Sequence, residues 1–341
     1  MEPLKETQKR FDQLMRQLKN GDYKYKPLEQ EKQVDWTAYS EAKVNELRSI
    51  INLIKEMVDA VGLPEKPVSA GQPAKDAKDL AKAILLQQYL QANERVAIGW
   101  IDLLGPRLGI SSAFEWRSLA RAYEREDVKF VLERVFELST TPVQGSAHSF
   151  SLDSTGLEES RKENYESVAH SEKSSSYPKL TSCISNEFHV VTSYAFTENV
   201  GDCKAFGQAF ALTAAMQSVE RVELDAGFVS RDICTAIGNA GALPFVYPKK
   251  GITLKKKKSQ AWKNMLLLFV ANPQEWLRFY HERSNVESWH SAFKRRFSKP
   301  LQCKSVLTQA TEVCARIIIE NFAQLNTAFH ERRIKLPILA A

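Results

Sequence analysis

"HSFSLDSTG", from His148 to Gly156, has the pattern of a β-strand that ends in an acid. Apolar residues alternate with small polar ones, and a glycine after Asp153 lets the backbone turn. An acid at such a position presents its carboxylate at the edge of a sheet; alternatively, it only forms the turn. The stretch therefore predicts a sheet with a candidate carboxylate at one edge.

Four more segments have the same β-branched and aromatic character and are also predicted to be strands. They are "PKLTSCIS", "FHVVTSYAFTE", "RVELDAGF" and "LPFVYPKKG". A helical segment, "KAFGQAFALTAAMQSVE", separates the third strand from the fourth, and the chain is helical again from Ser259 onward. This order predicts an α/β fold with a mixed five-stranded sheet and flanking helices.

The first 140 residues predict an all-helical N-terminal domain, which divides the chain into 1–140 and 141–341. "LPEKPVSAGQPAKD" is a predicted linker within it, and Asn93 and Ser112 are predicted N-caps. The helices on either side of "GPRLGISS" could form a DNA-binding helix-turn-helix or an ordinary bundle. We expect this domain to bind DNA ends or to mediate dimerisation.

The net charge of +6 is concentrated in one segment. Between Lys249 and Lys304 there are fourteen Lys and Arg residues against three Glu residues, which indicates a polyanionic partner. No apolar run approaches the roughly 20 residues that a membrane span needs. The N-terminus has no signal-peptide pattern, and five scattered cysteines favour neither disulfides nor a zinc site, so we expect a cytoplasmic protein.

A second acid, Asp225, follows the fourth predicted strand and precedes Ala-Gly-Phe, much as Asp153 precedes Ser-Thr-Gly. Two hydrolase classes are excluded by their motifs. An aspartic protease would need a second Asp-Thr-Gly copy, and a serine hydrolase would need a Gly-x-Ser-x-Gly elbow. Asp153 and Asp225 thus remain as paired candidates at strand ends.

The third candidate acid lies in "FYHERSNVESWHSAFKRRF", Phe279 to Phe297. In a continuous helix, residues seven apart nearly superimpose, so Tyr280, Glu287 and Lys294 would share one stripe. Arg283 falls close to that stripe, whereas Glu282 lies on another face and is predicted to be an ordinary surface acid. Helix geometry therefore selects Glu287.

Three carboxylates from two strand ends and one helix suit a site for two magnesium ions. Mg²⁺ prefers hard oxygen ligands and keeps positions open for water and phosphate. Two such ions stabilise the attacking and leaving oxygens of an in-line displacement. Nearby Arg and Lys side chains would hold DNA phosphates.

The spacing Tyr, two residues, Arg, three residues, Glu, six residues, Lys resembles a family signature. It is similar to that of the DDE transposases of bacterial and archaeal insertion sequences, in the branch related to the IS4 and IS5 groups. Tyr280, Arg283, Glu287 and Lys294 match it. "LDSTG" around Asp153 and "LDAGF" around Asp225 resemble the segments that hold the family's first and second catalytic aspartates. The resemblance covers roughly residues 146–322.

This resemblance implies an RNase H-like catalytic core that cuts the ends of an element and joins the freed 3′-hydroxyl to target DNA. It implies that Asp153, Asp225 and Glu287 are catalytic and bind two Mg²⁺ ions, for which Mn²⁺ can substitute. Its implied partners are double-stranded DNA, as terminal inverted repeats and target, and a second copy in a synaptic homodimer, near the nucleoid. Two alternatives stay open: an endonuclease without strand transfer, and a non-catalytic DNA-binding protein.

DNA contacts are expected along the basic segment. The resemblance assigns Tyr280, Arg283 and Lys294 to transposon-end phosphates and bases. Lys249, Lys250 and the lysines 255–258 could contact the DNA backbone or form a solvated loop. Arg295 and Arg296 extend the basic end of the motif. Trp276 and Trp289 could stack on a base, or pack in the core as aromatics at helical spacing do.

Overall fold

The computed structural model describes residues 4–27, 35–64, 74–159, 178–198, 200–249, 251–254, 259–332 and 334–336. The chain forms two compact units, each built from separate stretches of sequence. The sheet unit comprises Met1–Gln33, Gln144–Gly156 and Lys179–Ala292. The helical unit comprises Val34–Val143, Leu157–Pro178 and Phe293–Ala341.

The five predicted strands form one mixed sheet, which confirms the α/β prediction. They are β1 (Ser149–Gly156), β2 (Pro178–Ser185), β3 (Val191–Glu198), β4 (Arg221–Leu224) and β5 (Leu243–Val246). Their spatial order is β3-β2-β1-β4-β5. β1 runs antiparallel to β2 and parallel to β4, and β5 is parallel to β4. β1 is therefore the central strand.

Twelve α-helices surround the sheet or form the helical unit in the described ranges. In chain order they are α1 (Leu4–Asn20), α2 (Trp36–Asp59), α3 (Ala77–Leu90), α4 (Glu94–Leu108), α5 (Trp116–Ala122), α6 (Glu126–Thr140), α7 (Asp202–Met216), α8 (Arg231–Asn239), α9 (Gln260–Ala271), α10 (Pro273–His281), α11 (Ser284–Arg296) and α12 (Val306–Arg332). In the sheet unit, α7 packs against β3, and α10 packs against β4 and β5. These contacts cover the apolar residues of the strands.

Helix α12 is the centre of the helical unit. Its side chains are buried along most of its length, and it packs against α2, α3 and α6. Asn326 donates to the carbonyl of Ala42 at 2.7 Å, and Asn321 donates to Ser139 at 2.9 Å. A helix that is buried on nearly all sides requires partners all around it.

The two units do not follow the predicted boundary near residue 140. Helix α1 belongs to the sheet unit, where Phe11 packs edge-on against Phe269 with ring centroids 5.8 Å apart. Gln8 also donates to the carbonyl of Ile252 at 3.2 Å and accepts from the amide of Leu254 at 2.8 Å. Helix α12, at the other end of the chain, belongs to the helical unit. Contacts between distant segments, rather than sequence order, set the division.

The segment around "GPRLGISS", for which a helix-turn-helix and an ordinary bundle both stayed open, forms α4 and the short α5. Asn93 caps α4 as expected, accepting from the amide of Val96 at 3.1 Å, but Ser112 caps no helix and its amide donates to Asp79 instead. Helix α5 has only seven residues.

Most of the predicted linker, residues 65–73, lies outside the described residues. Within the described ranges, no helix has the length and apolar character needed to cross a bilayer.

Candidate active site

The register of the parallel strands brings the two aspartates to neighbouring positions. Leu152 of β1 lies opposite Leu224, the last residue of β4, and Asp225 directly follows β4. Asp153 is the residue after Leu152 and lies within β1, not at the end of the strand as predicted, because β1 continues to Gly156 by pairing with β2. Adjacent strands are about 4.8 Å apart, so both acids occupy the same region of the sheet. Asp225 is held in place because its Oδ2 accepts from the amide of Gly227 at 3.2 Å.

Glu287 approaches the site from the first turn of α11, but not from the continuous helix that was predicted. α10 ends at His281 and α11 begins at Ser284. Between them the amide of Arg283 donates to the carbonyl of Tyr280 at 3.1 Å, three residues back, which tightens the turn. The argument from a single seven-residue stripe is therefore wrong for this segment.

Arg283 lies close to two of the three acids. Its Nη2 lies 2.7 Å from Glu287 Oε1, and its Nη1 lies 3.9 Å from Asp153 Oδ2. Burial lowers the pKa of Arg283, but Tyr280, Glu287 and Asp225 outweigh it and raise the pKa. The guanidinium thus stays charged and offsets the repulsion between the carboxylates.

The carboxyl group of Asp153 is affected by burial and by its charged neighbours. Burial raises the pKa of Asp153, and the charges of Asp225 and Glu287 raise it further. A hydrogen bond from the amide of Ser154 and the charge of Arg283 act in the opposite direction without cancelling the rise. Asp225 and Glu287 are therefore close enough to Asp153 to act on its carboxyl group.

The carboxylate oxygens of these residues suit a hard cation, but their arrangement in this structure does not form a metal site. In the part of the chain that the structure describes, no group of three Asp, Glu, His or Cys side chains is arranged to hold a metal ion. Glu287, with its side chain 52% exposed, is engaged by Arg283. Because a carboxylate cannot serve both cations equally, sharing an ion with the aspartates would require Glu287 to leave Arg283.

Glu282 is not the surface acid that was predicted. Its Oε2 accepts from Arg221 Nη2 and from Ser149 Oγ, each at 3.0 Å. The backbone carbonyl of Glu282 also accepts from Ser151 Oγ at 3.3 Å. These bonds fix the α10–α11 turn to β1 and β4, the strands that precede or carry the two aspartates.

A second acid, Glu223 of β4, is wholly buried and belongs to the same network as Glu282. It accepts from Asn186 Nδ2 at 2.8 Å, and its Oε1 lies 3.2 Å from Ser149 Oγ, the hydroxyl that donates to Glu282. Burial raises the pKa of Glu223 to about 8; Arg221 lowers it, and the charge of Glu282 raises it. Sequence reasoning missed this network, although an acid inside the short apolar strand "RVEL" was a signal.

A fourth carboxylate, Asp202, also borders the site. A Cβ placed on Gly227 would lie 3.4 Å from Asp202 Oδ2 and 3.6 Å from Asp225 Oδ2. Burial raises the pKa of Asp202, but hydrogen bonds from Lys179 and Ser154 and the charge of Lys179 bring it below its usual range. Asp202 was not among the acids selected from the sequence.

The residues predicted to contact DNA occupy different settings. Tyr280 is 9% exposed, and its ring stacks on Trp276 with centroids 5.4 Å apart. Burial raises the pKa of Tyr280 to about 12, so its hydroxyl stays protonated. Trp276 and Trp289 are buried, which favours core packing for both. Lys249 is exposed, whereas Lys250 and the lysines 255–258 lie outside the described residues.

The basic end of the motif lies in the last turn of α11, which belongs to the helical unit. Lys294 and Arg295 are exposed there. Arg296 forms salt bridges of 2.8 Å with both Glu46 and Glu320. These bridges favour a structural role for Arg296.

Replacing Arg283 with glutamine should destabilise the protein because Asp153 and Glu287 lose their shared cation. We expect the free energy of unfolding at pH 7 to fall by about 1–2 kcal/mol, measured by urea denaturation. Arg278→Gln is the matched control, since that side chain is 39% exposed and lies 3.6 Å from Glu275. If the free energy of unfolding fell equally in the two variants, Arg283 would stabilise the protein no more than an exposed arginine does.

Comparison of the chain with protein-family models, with curated proteins and with solved structures found no match. Arg283 contacts Glu287 and lies near Asp153, and Asp225 follows the neighbouring strand of the same unit. The catalytic and DNA-binding roles assigned to these residues stay predictions. Of the other predicted contacts, Lys249, Lys294 and Arg295 are exposed, Arg296 is engaged by two glutamates, and Tyr280, Trp276 and Trp289 are buried.

Proposed function

We propose that the sheet unit is an RNase H-like catalytic core and that the chain is a DNA transposase of the DDE type. It would cut the ends of an insertion sequence and join the freed 3′-hydroxyl to target DNA. The observation that supports this proposal is that Asp153 of β1 lies beside Asp225, which follows the parallel strand β4, and that both Asp153 and Glu287 contact Arg283. The mixed sheet with β1 at its centre is compatible with the proposed core.

The proposed cofactor is a pair of Mg²⁺ ions, with Mn²⁺ as a substitute, held by Asp153, Asp225 and Glu287. When bound, such ions supply the positive charge that stabilises the attacking and leaving oxygens of phosphoryl transfer. The chain's own contribution is to position the acids. Strand register fixes the two aspartates, and the Glu282 bonds fix the turn that leads to Glu287.

Arg283 and the exposed cations would bind the DNA. If Glu287 left Arg283 to bind a metal ion, the guanidinium of Arg283 would be free to bind a phosphate in a bidentate manner. The Tyr280 ring supports Arg283, whose guanidinium carbon lies 5.9 Å from the ring centroid. Lys249 offers a further phosphate contact. The proposed partners are double-stranded DNA and a second copy of the chain, in the cytoplasm near the nucleoid.

The test is incubation of the protein with Mg²⁺ or Mn²⁺ and DNA that carries the inverted repeats flanking its gene. We expect cleavage at the repeat ends and joined products, separated by electrophoresis. Nicks without joining would favour an endonuclease, and retardation without cleavage would favour a DNA-binding protein. The absence of both binding and cleavage would overturn the proposal.

A further inference from the structure

A second concave site lies beside the carboxylates, entirely within the sheet unit. It is a cavity of about 890 Å³ between α1 and the segment that follows β5. This volume lies within the range of roughly 300–1,000 Å³ that is typical of small-molecule sites. The side chains that define its character are Phe11, Met15 and Tyr247 on the wall and Arg16, Lys19 and Lys249 at the rim.

The wall of the cavity is apolar and partly aromatic. Phe11 is buried against Phe269, so its position is fixed by the core. Met15 and Tyr247 remain half-buried and complete the wall with a flexible thioether and a flat ring. Such a surface is suited to a planar aromatic ligand, because stacking on aromatic rings tolerates any base.

The rim is basic. Arg16, Lys19 and Lys249 are exposed, and Asp12 is the acid among the residues that line the cavity. Asp12 accepts from Gln8 Nε2 at 3.1 Å along the same helix. Three cations against one acid favour an anionic group at the mouth, such as a phosphate. The ligand therefore combines a planar base with a phosphate.

The cavity is adjacent to the candidate active site. Ala226, which lines it, directly follows Asp225 in the chain. On the other side the Tyr247 ring lies 5.3 Å from the Tyr280 ring, and Tyr280 in turn contacts Arg283. A strand held at the carboxylates would therefore have an unpaired nucleotide within reach of the cavity.

We propose that this cavity binds one unpaired nucleotide, with its base against Met15 and Tyr247 and its phosphate at Arg16 and Lys19. The source of the nucleotide is either a DNA strand end or a free mononucleotide. The first source rests on the proposed function, whereas the second does not. Helix α1 is thereby a ligand-binding element of the sheet unit.

The test measures binding by fluorescence anisotropy without divalent cations, so cleavage plays no part. The three labelled probes are a blunt duplex, the same duplex with a short single-stranded overhang, and 2′-deoxyadenosine 5′-monophosphate. Arg16→Glu and Met15→Ala should each weaken binding of the overhang duplex roughly 10-fold. Met15→Ala should leave the blunt duplex unaffected, because removing a stacking surface changes no charge.

Two control substitutions lie on the same helix outside the cavity. Lys9→Glu reverses a charge as Arg16→Glu does, and Leu18→Ala removes apolar surface as Met15→Ala does. Both should bind every probe within about twofold of the original protein. If they weakened the overhang duplex as much as the cavity variants did, the cavity would not be the binding site.

The outcomes separate this proposal from the transposase proposal. Selective loss of overhang binding in the cavity variants supports the cavity even if the protein never cleaves DNA. Binding of the mononucleotide that is lost in Arg16→Glu supports it even if no DNA binds. If the protein binds overhang and blunt duplexes equally, and neither cavity variant changes this, the cavity proposal is wrong while the proposed function stands.

Discussion

Glu287→Gln should reduce divalent-cation-dependent DNA cleavage by at least about 10²-fold while leaving DNA binding largely intact. The amide keeps the size of the side chain but removes the charge that a hard cation requires. Glu287 is 52% exposed and starts a stable helix, so the substitution should not impair folding. Cleavage of repeat-end DNA and gel retardation without Mg²⁺ measure the two effects separately.

Glu275→Gln is the matched control for this experiment. Glu275 also lies in the first turn of a helix of the sheet unit, and its side chain is 51% exposed. Its substitution should leave cleavage within about twofold of the original rate. If Glu282→Gln abolished cleavage and Glu287→Gln did not, the assignment of the third acid would be wrong.

Glu223→Gln should make the stability of the protein less dependent on pH. The pKa of Glu223 is about 8 in the folded chain, against an ordinary value of 4.5. Because the folded state holds this proton more tightly, its stabilising effect is full below pH 4.5 and is lost as the pH rises through 8. Between pH 6 and pH 8 the free energy of unfolding should therefore fall by about 2 kcal/mol through this group alone.

Urea denaturation at pH 6, 7 and 8 measures this effect. The stability of Glu223→Gln relative to the original protein should increase by about 2 kcal/mol over that range, because the amide has no proton to lose. Glu275→Gln, in which an exposed acid is removed, should show no such trend. A constant difference between Glu223→Gln and the original protein at all three pH values would show that Glu223 is ionised when folded.

Local sequence patterns were sufficient for the strands but not for the exact positions of the acids. Apolar, β-branched and aromatic residues identified every strand of the sheet, whereas Asp153, which was predicted to end its strand, lies within β1. Such patterns depend on near neighbours in the chain, which the sequence displays directly. The selection of Glu287 stays a prediction, and the helix from which it was inferred is not continuous.

The interruption of that helix could not be predicted because no local residue demands it. Neither glycine nor proline occurs between Tyr280 and Glu287. The turn is instead held by partners on distant strands: Arg221 and Ser149 bind the Glu282 side chain, and Ser151 binds its carbonyl. Interactions between segments far apart in the sequence leave no periodic signal, which is also why the network around Glu223 was missed.

The interleaving of the two units has a consequence for any attempt to dissect the protein. A fragment that begins at residue 141 contains all three acids but lacks α1, leaving Phe269 without Phe11. The same fragment retains α12 but removes α2, α3 and α6, so an almost wholly buried helix would face solvent. Truncation at that apparent boundary should therefore yield insoluble material, and the chain has to be expressed and studied whole.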